Sequence, residues 1–152
     1  MLVLLALSSR PAFADATLFI GLTATPSNRV TKGFAIGAGL LIVGVEFEWA
    51  SIAEDTFKAA PVLKTGMGNV LLQTPIPLAG MQFYVTSGAG GYRERLGTTH
   101  KETNIGFNTG GGVKVSLLGP LKARLDYRVI KLRGNPLYSK VHRVYAGINL
   151  GF

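Results

Sequence analysis

The sequence predicts an all-β fold: an eight-stranded antiparallel up-and-down transmembrane β-barrel. Three observations carry the prediction. First, the last ten residues, Arg143–Phe152, alternate without a break, placing Val144, Ala146, Ile148, Leu150 and Phe152 on one face and Arg143, Tyr145, Gly147, Asn149 and Gly151 on the other. Period-2 alternation of that length marks a half-buried strand rather than a helix. Second, 47% of the residues are hydrophobic and the mean hydropathy is +0.31. Yet past the N-terminus no apolar run approaches the roughly 18 residues of a spanning helix; the most apolar piece, Phe34–Val45, is too short. Third, turn signals cut the remaining chain into segments of about 9–12 residues, the length of a tilted membrane strand.

With 152 residues the chain suffices for one domain. Residues 1–14, MLVLLALSSRPAFA, read as a signal peptide: Leu2–Leu7 is its apolar core and Ala12-Phe13-Ala14 its small-residue cleavage site. The exported chain is expected to begin at Asp15, leaving 15–152 as the barrel domain. The first strand is expected at about Thr17–Thr25, with Leu18, Ile20, Leu22 and Ala24 on one face, before a polar loop opened by Pro26-Ser27-Asn28. The second, about Gly33–Leu41, sets Phe34, Ile36, Ala38 and Leu40 against Ala35, Gly37 and Gly39. The third, about Gly44–Ile52, sets Val45, Phe47 and Trp49 against Glu46 and Glu48. Between them, Leu41–Val43 lacks good turn chemistry.

Ala53–Pro61 is a charged loop. The fourth strand, about Val62–Gln73, has an open register because Val70-Leu71-Leu72 breaks the alternation; Pro75 and Pro77 then mark a turn. The fifth, about Gln82–Glu94, faces Phe83, Val85 and Ala89 one way and Tyr84, Thr86, Gly88, Gly90 and Tyr92 the other. Gly97–Thr103 reads as polar loop. The sixth, about Asn104–Leu117, sets Ile105, Phe107, Val113 and Val115 against Asn108, Gly110, Gly112 and Lys114, and Gly119-Pro120 closes a tight turn. The seventh, about Leu121–Leu132, sets Leu121, Ala123, Leu125, Tyr127 and Val129 against Lys122, Arg124, Asp126 and Arg128. Gly134-Asn135-Pro136 opens the last loop before the terminal strand. The loops after strands one, three, five and seven are predicted to be longer and charged, those after two, four and six shorter and almost uncharged.

Alternation alone admits a membrane barrel, apolar face outward, and a soluble barrel, apolar face inward. The second face decides between them. It is rich in glycine on strands two, five and six, which suits a narrow crowded lumen better than a solvated surface. In that orientation Glu46, Glu48, Lys122, Arg124, Asp126 and Arg128 form a lumen charge cluster, with strands three and seven opposite one another. Such charges must be paired or hydrated. A salt-bridged barrel core is the favoured reading and a gated ion path the alternative, because eight strands enclose little beyond side chains.

Formal net charge is +8, and without Arg10 of the leader 15 Lys+Arg against 8 Asp+Glu leaves +7. The charges are dispersed along strands, which argues against nucleic acid and for anionic lipid headgroups. The chain has no cysteine, so disulfides are excluded. Of its two histidines, His142 lies near the terminal strand and His100 in a loop; Ser139 and Glu102 are conceivable catalytic partners, but no motif joins them. No catalytic site, metal site or cofactor site is expected.

The terminal aromatic with apolar residues alternating back from it resembles the closing strand of bacterial outer-membrane β-barrel proteins. The segment Gly110–Arg128, GGGVKVSLLGPLKARLDYR, with Gly44–Trp49 and Tyr84–Tyr92, resembles the small OmpA-like and OmpX-like barrel domains. The resemblance spans essentially all of 15–152. It implies a bacterial outer-membrane location, a monomer surrounded by outer-membrane lipid and lipopolysaccharide, and a terminal strand (Val144, Ala146, Ile148, Leu150, Phe152) that the barrel-assembly machinery reads. It implies no activity; the role expected of the chain is structural or surface-interacting. The alternatives are a lipid-modifying outer-membrane enzyme and, lower, a soluble periplasmic ligand-binding barrel. Trp49 and Tyr127 on the lipid face and Phe152 at the periplasmic end would anchor the barrel.

Overall fold

A computed structural model describes residues 12–75 and 77–152. Eight strands, β1 (Ala12–Thr23), β2 (Arg29–Leu40), β3 (Val43–Ile52), β4 (Val62–Gln73), β5 (Met81–Leu96), β6 (His100–Leu118), β7 (Leu121–Leu132) and β8 (Lys140–Gly151), form one closed barrel. Each strand pairs antiparallel with its neighbours in sequence, and β8 returns to β1. Beyond the ends of that seam, Ala14 and Phe152 exchange backbone hydrogen bonds of 3.0 and 2.9 Å. Closure removes the unpaired edges that lipid would not solvate. A 3-10 turn, Thr56–Lys58, sits in the loop after β3 with Asp55 as its N-cap.

The barrel is polar inside and apolar outside. Leu18 is 72% exposed and Val45 58%, while Thr17 and Glu48, on the alternate phase, are 1% exposed. A soluble barrel turns its apolar stripe inward; the opposite arrangement belongs to a barrel whose outer solvent is hydrocarbon. The chain is therefore a transmembrane barrel, crossing on strands.

The interior is layered along its axis. At the loop end, Ile52, Leu63, Met67, Tyr92, Ile130, Leu132 and Val141 form an apolar plug. Below it Phe19 stacks on Tyr145 with ring centroids 4.0 Å apart, against Ala50. Charged and amide side chains fill the rest of the lumen. Inward glycines admit these large groups: at Gly112 an added Cβ would stand 2.8 Å from the Tyr84 ring.

The structure corrects the sequence reading at several boundaries. Gly97–Thr103 is not a loop, because β5 runs to Leu96 and β6 starts at His100, with Gly97 at φ 53 in a three-residue turn. Polar residues continue the alternation there, so the hairpin stays paired beyond the apolar belt. The connection over residues 74–80 is uncharged but longer than that turn, so the expected length asymmetry fails for this pair of connections. Strands β2 and β8 begin earlier than predicted, at Arg29 and Lys140, and β1 spans Ala12–Thr23 rather than about Thr17–Thr25. Leu41-Ile42 makes a two-residue turn with Leu41 at φ 47. A leucine there carries no turn signal, which is why the boundary was poorly marked. In β4 the broken alternation resolves with Leu71 inward, 4% exposed, and Val70 and Leu72 outward.

Ala12, Phe13 and Ala14, read from sequence as the cleavage site, lie in β1 opposite Leu40, Gly39 and Ala38. Residues 1–11 of the predicted leader lie outside the described residues.

Candidate functional site

The densest chemistry in the barrel is the lumen network. Strict alternation aims Glu46 and Glu48 of β3, Arg124, Asp126 and Arg128 of β7, and Arg143 of β8 at one another across the interior. Arg124 grips Glu46 with two nitrogens, at 2.5 and 3.3 Å, and reaches Asp126 at 3.4 Å. Arg128 meets three carboxylates: Glu46 at 3.0 Å, Glu48 at 3.1 Å and Asp126 at 2.9 Å. Arg143 meets Glu48 at 2.6 Å. Three carboxylates thus balance three guanidiniums, all at most 4% exposed. The planar multi-donor guanidinium suits such a lattice better than lysine does.

Neutral groups complete it. Tyr84 donates to Asp126 and accepts from Arg124 Nε at 2.8 Å, while the Arg124 guanidinium lies 4.8 Å from the Tyr84 ring centroid. Arg124 also donates to Thr17 at 3.3 Å, and Asn149 donates to the same hydroxyl at 2.9 Å. Asn108 donates to Asn69 at 2.7 Å, and Asn69 to Glu46 at 3.5 Å. Nearer the chain termini, Lys114 and Asp15 form a separate buried pair at 2.5 Å.

Of the six residues read as a lumen cluster, Glu46, Glu48, Arg124, Asp126 and Arg128 meet. Lys122 does not: it is half-buried at the terminal mouth, in a hollow it shares with Phe13, Pro120 and Phe152. Lys122 lies one inward position beyond Arg124 toward the turn, where Asn149 of β8 is its register partner. Sequence reasoning missed Tyr84 and Arg143 as network members and Lys114 with Asp15 as a second buried pair. Their phase was visible in the alternation, but their partners lie on strands far away in sequence. Asp15, read as the first residue of the exported chain, is the partner of Lys114.

The histidines are not joined to the serine or acid considered with them. His142 points outward, and its Nδ1 lies 2.7 Å from the Tyr127 hydroxyl. His100 lies 3.3 Å from Glu94, which also accepts from the Leu137 backbone at 3.1 Å. Glu102 accepts from Asn104 and from the Asn135 backbone. Among the described residues no group of three His, Cys, Asp or Glu could hold a metal ion. The lumen arrangement can lock strands together; each of its three carboxylates is engaged by at least two guanidiniums.

The outer surface repeats a membrane pattern. Trp49 stacks on Phe34 with centroids 6.0 Å apart near the loop end. Tyr127 is 47% exposed, and Phe152 is 76% exposed at the opposite end. Val144, Ala146, Ile148 and Leu150 of the terminal strand all face outward.

The sequence matches no family model and no curated protein sequence. Solved structures with the same fold are well matched over nearly their whole length. The N-terminal β-barrel domain of Pseudomonas aeruginosa OprF aligns with a TM-score of 0.69 at 13% identity, covering 92% of this chain and 97% of that one. Neisserial surface protein A aligns with a TM-score of 0.71 at 13% identity, covering 93% and 96%. The outer membrane enzyme PagL aligns with a TM-score of 0.58 at 10% identity, covering 90% and 98%. At these identities the likeness is one of fold: the chain has the architecture of the small outer-membrane barrels.

Proposed function

We propose that this protein is a monomeric structural barrel of the bacterial outer membrane that presents its loops at the cell surface. The observation that carries the reading is the pairing of an apolar exterior with a lumen closed twice. The salt-bridged network closes it once, and the apolar plug at the loop end closes it again. Such an interior resists shear between strands and leaves no continuous path for ions. Work at the surface then falls to the loop end, where Phe57 is wholly exposed beside Lys58 in the loop after β3. The terminal strand, ending on Phe152, is the segment that the barrel-assembly machinery would engage, and a leader cleaved at Ala14 would deliver the chain across the inner membrane. Outer-membrane lipid and lipopolysaccharide are its surroundings.

Fractionation tests the location: the folded barrel should co-sediment with outer membrane and migrate faster unheated than boiled on SDS gels. In planar bilayers the purified protein should show no steady conductance. A stable open channel would overturn the closed-lumen reading. The enzyme alternative is favoured by the likeness to PagL alone, since His142 is engaged by Tyr127 rather than by a serine. A mass shift of lipid A on expression would establish it and displace the structural role.

A further inference from the structure

The excess positive charge lies on the outside of the loop end, and it is arranged in like-charged pairs. Register places Lys64 opposite Arg93, Arg95 opposite Lys101 and Lys131 opposite Lys140, all six exposed on the outward phase. Like charges directly opposite one another on a sheet destabilise it. Among the described residues none of these six is in an ion pair. The lumen carboxylates are buried on the other phase and already engaged, and the loop carboxylates Glu54 and Asp55 accept from the backbone of Gly97 and Lys58 rather than pairing with these six, which leaves the rim open to an external anion.

One of these pairs sits at the head of a furrow. Lys64 and Arg93 belong to a row across neighbouring strands that continues to Lys32 through Ser51 on one side and to Thr103 on the other. Immediately below, the outward positions of β4 and β5 are Gly66, Gly68 and Gly91. A Cβ added at Gly66 or Gly68 would meet no atom nearer than 3.9 Å, and at Gly91 none within 4 Å. No contact within the barrel requires glycine there. The result is a hollow of about 330 Å³ lined by Trp49, Lys64, Arg93 and Thr103. A second of about 600 Å³ lies two residues further along β4, displaced toward β2 and β3, over Ile36, Val45, Phe47 and Gly68. The two hollows form an interrupted furrow on the outer face of β4, with the Phe47 ring between them 3.9 Å from a Cβ added at Gly66, and Lys64 to Val70 spans roughly 20 Å of extended strand.

We infer that this furrow binds one phosphorylated glycolipid of the loop-side leaflet, its phosphate held between Lys64 and Arg93 and an acyl chain laid along Gly66 and Gly68. Charge complementarity selects the occupant. A phosphomonoester brings up to two negative charges to two cations whose Cβ atoms are about 5 Å apart. Thr103 and Ser51 supply hydroxyl donors on either side for sugar or phosphate oxygens. The inference rests on the proposed outer-membrane location, because that leaflet is where such a lipid is met.

The test uses the whole barrel refolded in neutral detergent, its folded state checked by heat-modifiable migration. Trp49, the one tryptophan, lines the furrow and reports binding by fluorescence. Bisphosphorylated lipid A should saturate one site, while dephosphorylated lipid A and phosphatidylglycerol should bind far more weakly. The double variant K64Q/R93Q should weaken lipid A about thirty-fold, the effect of losing two basic contacts to a phosphate. Gly66→Leu, which fills the furrow and leaves the charge intact, should also weaken it. K131Q/K140Q, the same charge change elsewhere on the rim, should leave it within about two-fold. Equal loss from both double variants would mean diffuse attraction rather than a site. Equal binding of dephosphorylated lipid A, or of phosphatidylglycerol, would overturn the phosphate or the glycolipid assignment. Fractionation is read separately, so a barrel in the outer membrane with no furrow selectivity refutes this inference alone.

Discussion

Replacing Glu48 by glutamine removes the one carboxylate that Arg143 meets. Arg143 is 1% exposed, its guanidinium 2.6 Å from Glu48 and 5.4 Å from the ring centroids of Phe19 and Tyr145. Those ring contacts exist in the parent already, so they do not offset the loss. Arg128, by contrast, keeps Glu46 and Asp126 after the change. Removing one partner of a buried pair typically costs about 3–5 kcal/mol, because the remaining charge is left unsolvated. Glu48→Gln should fall in that range, since shape is kept and only charge is lost. Arg124→Ala should cost at least as much, about 3–5 kcal/mol, because it leaves three buried carboxylates facing two guanidiniums and empties the space of a fully buried side chain. The double variant E48Q/R143M restores neutrality to the network and should recover at least about 1 kcal/mol of the single-variant loss. Urea titration of the refolded barrel in phospholipid vesicles measures all of these, with Trp49 fluorescence and gel mobility as independent probes. A Glu48→Gln barrel within about 0.5 kcal/mol of the parent, or a double variant that merely adds two losses, would show that the lumen solvates Arg143 as water does. The locked-network reasoning would then fail.

Phe152→Ser should lower outer-membrane insertion in cells yet refold into vesicles almost as well as the parent, because the backbone ladder between β1 and β8 from Asp15 and Gly151 to Thr23 and Arg143 survives; unchanged insertion in cells would count against the terminal strand as the assembly signal. The chain has no cysteine, so single cysteines at Asn28, Thr56, Thr98 or Asn135 should label with an impermeant thiol reagent on intact cells. Cysteines at Leu78 or Pro120 should label only after the outer membrane is opened, and equal labelling of both groups would mean the orientation is wrong. The intact mass of protein purified from membranes should correspond to a chain starting at Asp15; a longer chain retaining Ala12–Ala14 would instead match the full extent of β1 and its pairing with β2.

Strand number and the facing of every strand but the fourth were legible in the sequence because period 2 is a local property: Val45, Phe47 and Trp49 declare one face and Glu46 and Glu48 the other without reference to any other strand, whereas Val70-Leu71-Leu72 left β4 open. The common phase of Arg124, Asp126 and Arg128 on β7 was legible for the same reason. Turns marked by Gly119-Pro120 or Gly134-Asn135-Pro136 could be read, whereas Leu41-Ile42 could not, since a leucine at positive φ is held there by the ladder on either side. The height of the β5–β6 hairpin was hidden too, because polar residues beyond the membrane belt look like loop until their partners are known. Tertiary structure alone decided who meets whom in the lumen. Arg143 with Glu48 and Lys114 with Asp15 join residues about a hundred positions apart, and their meeting depends on the stagger accumulated as eight strands close into a barrel. That stagger is a property of the whole ring: a slip of one residue in any pairing would turn a strand's polar set outward into lipid.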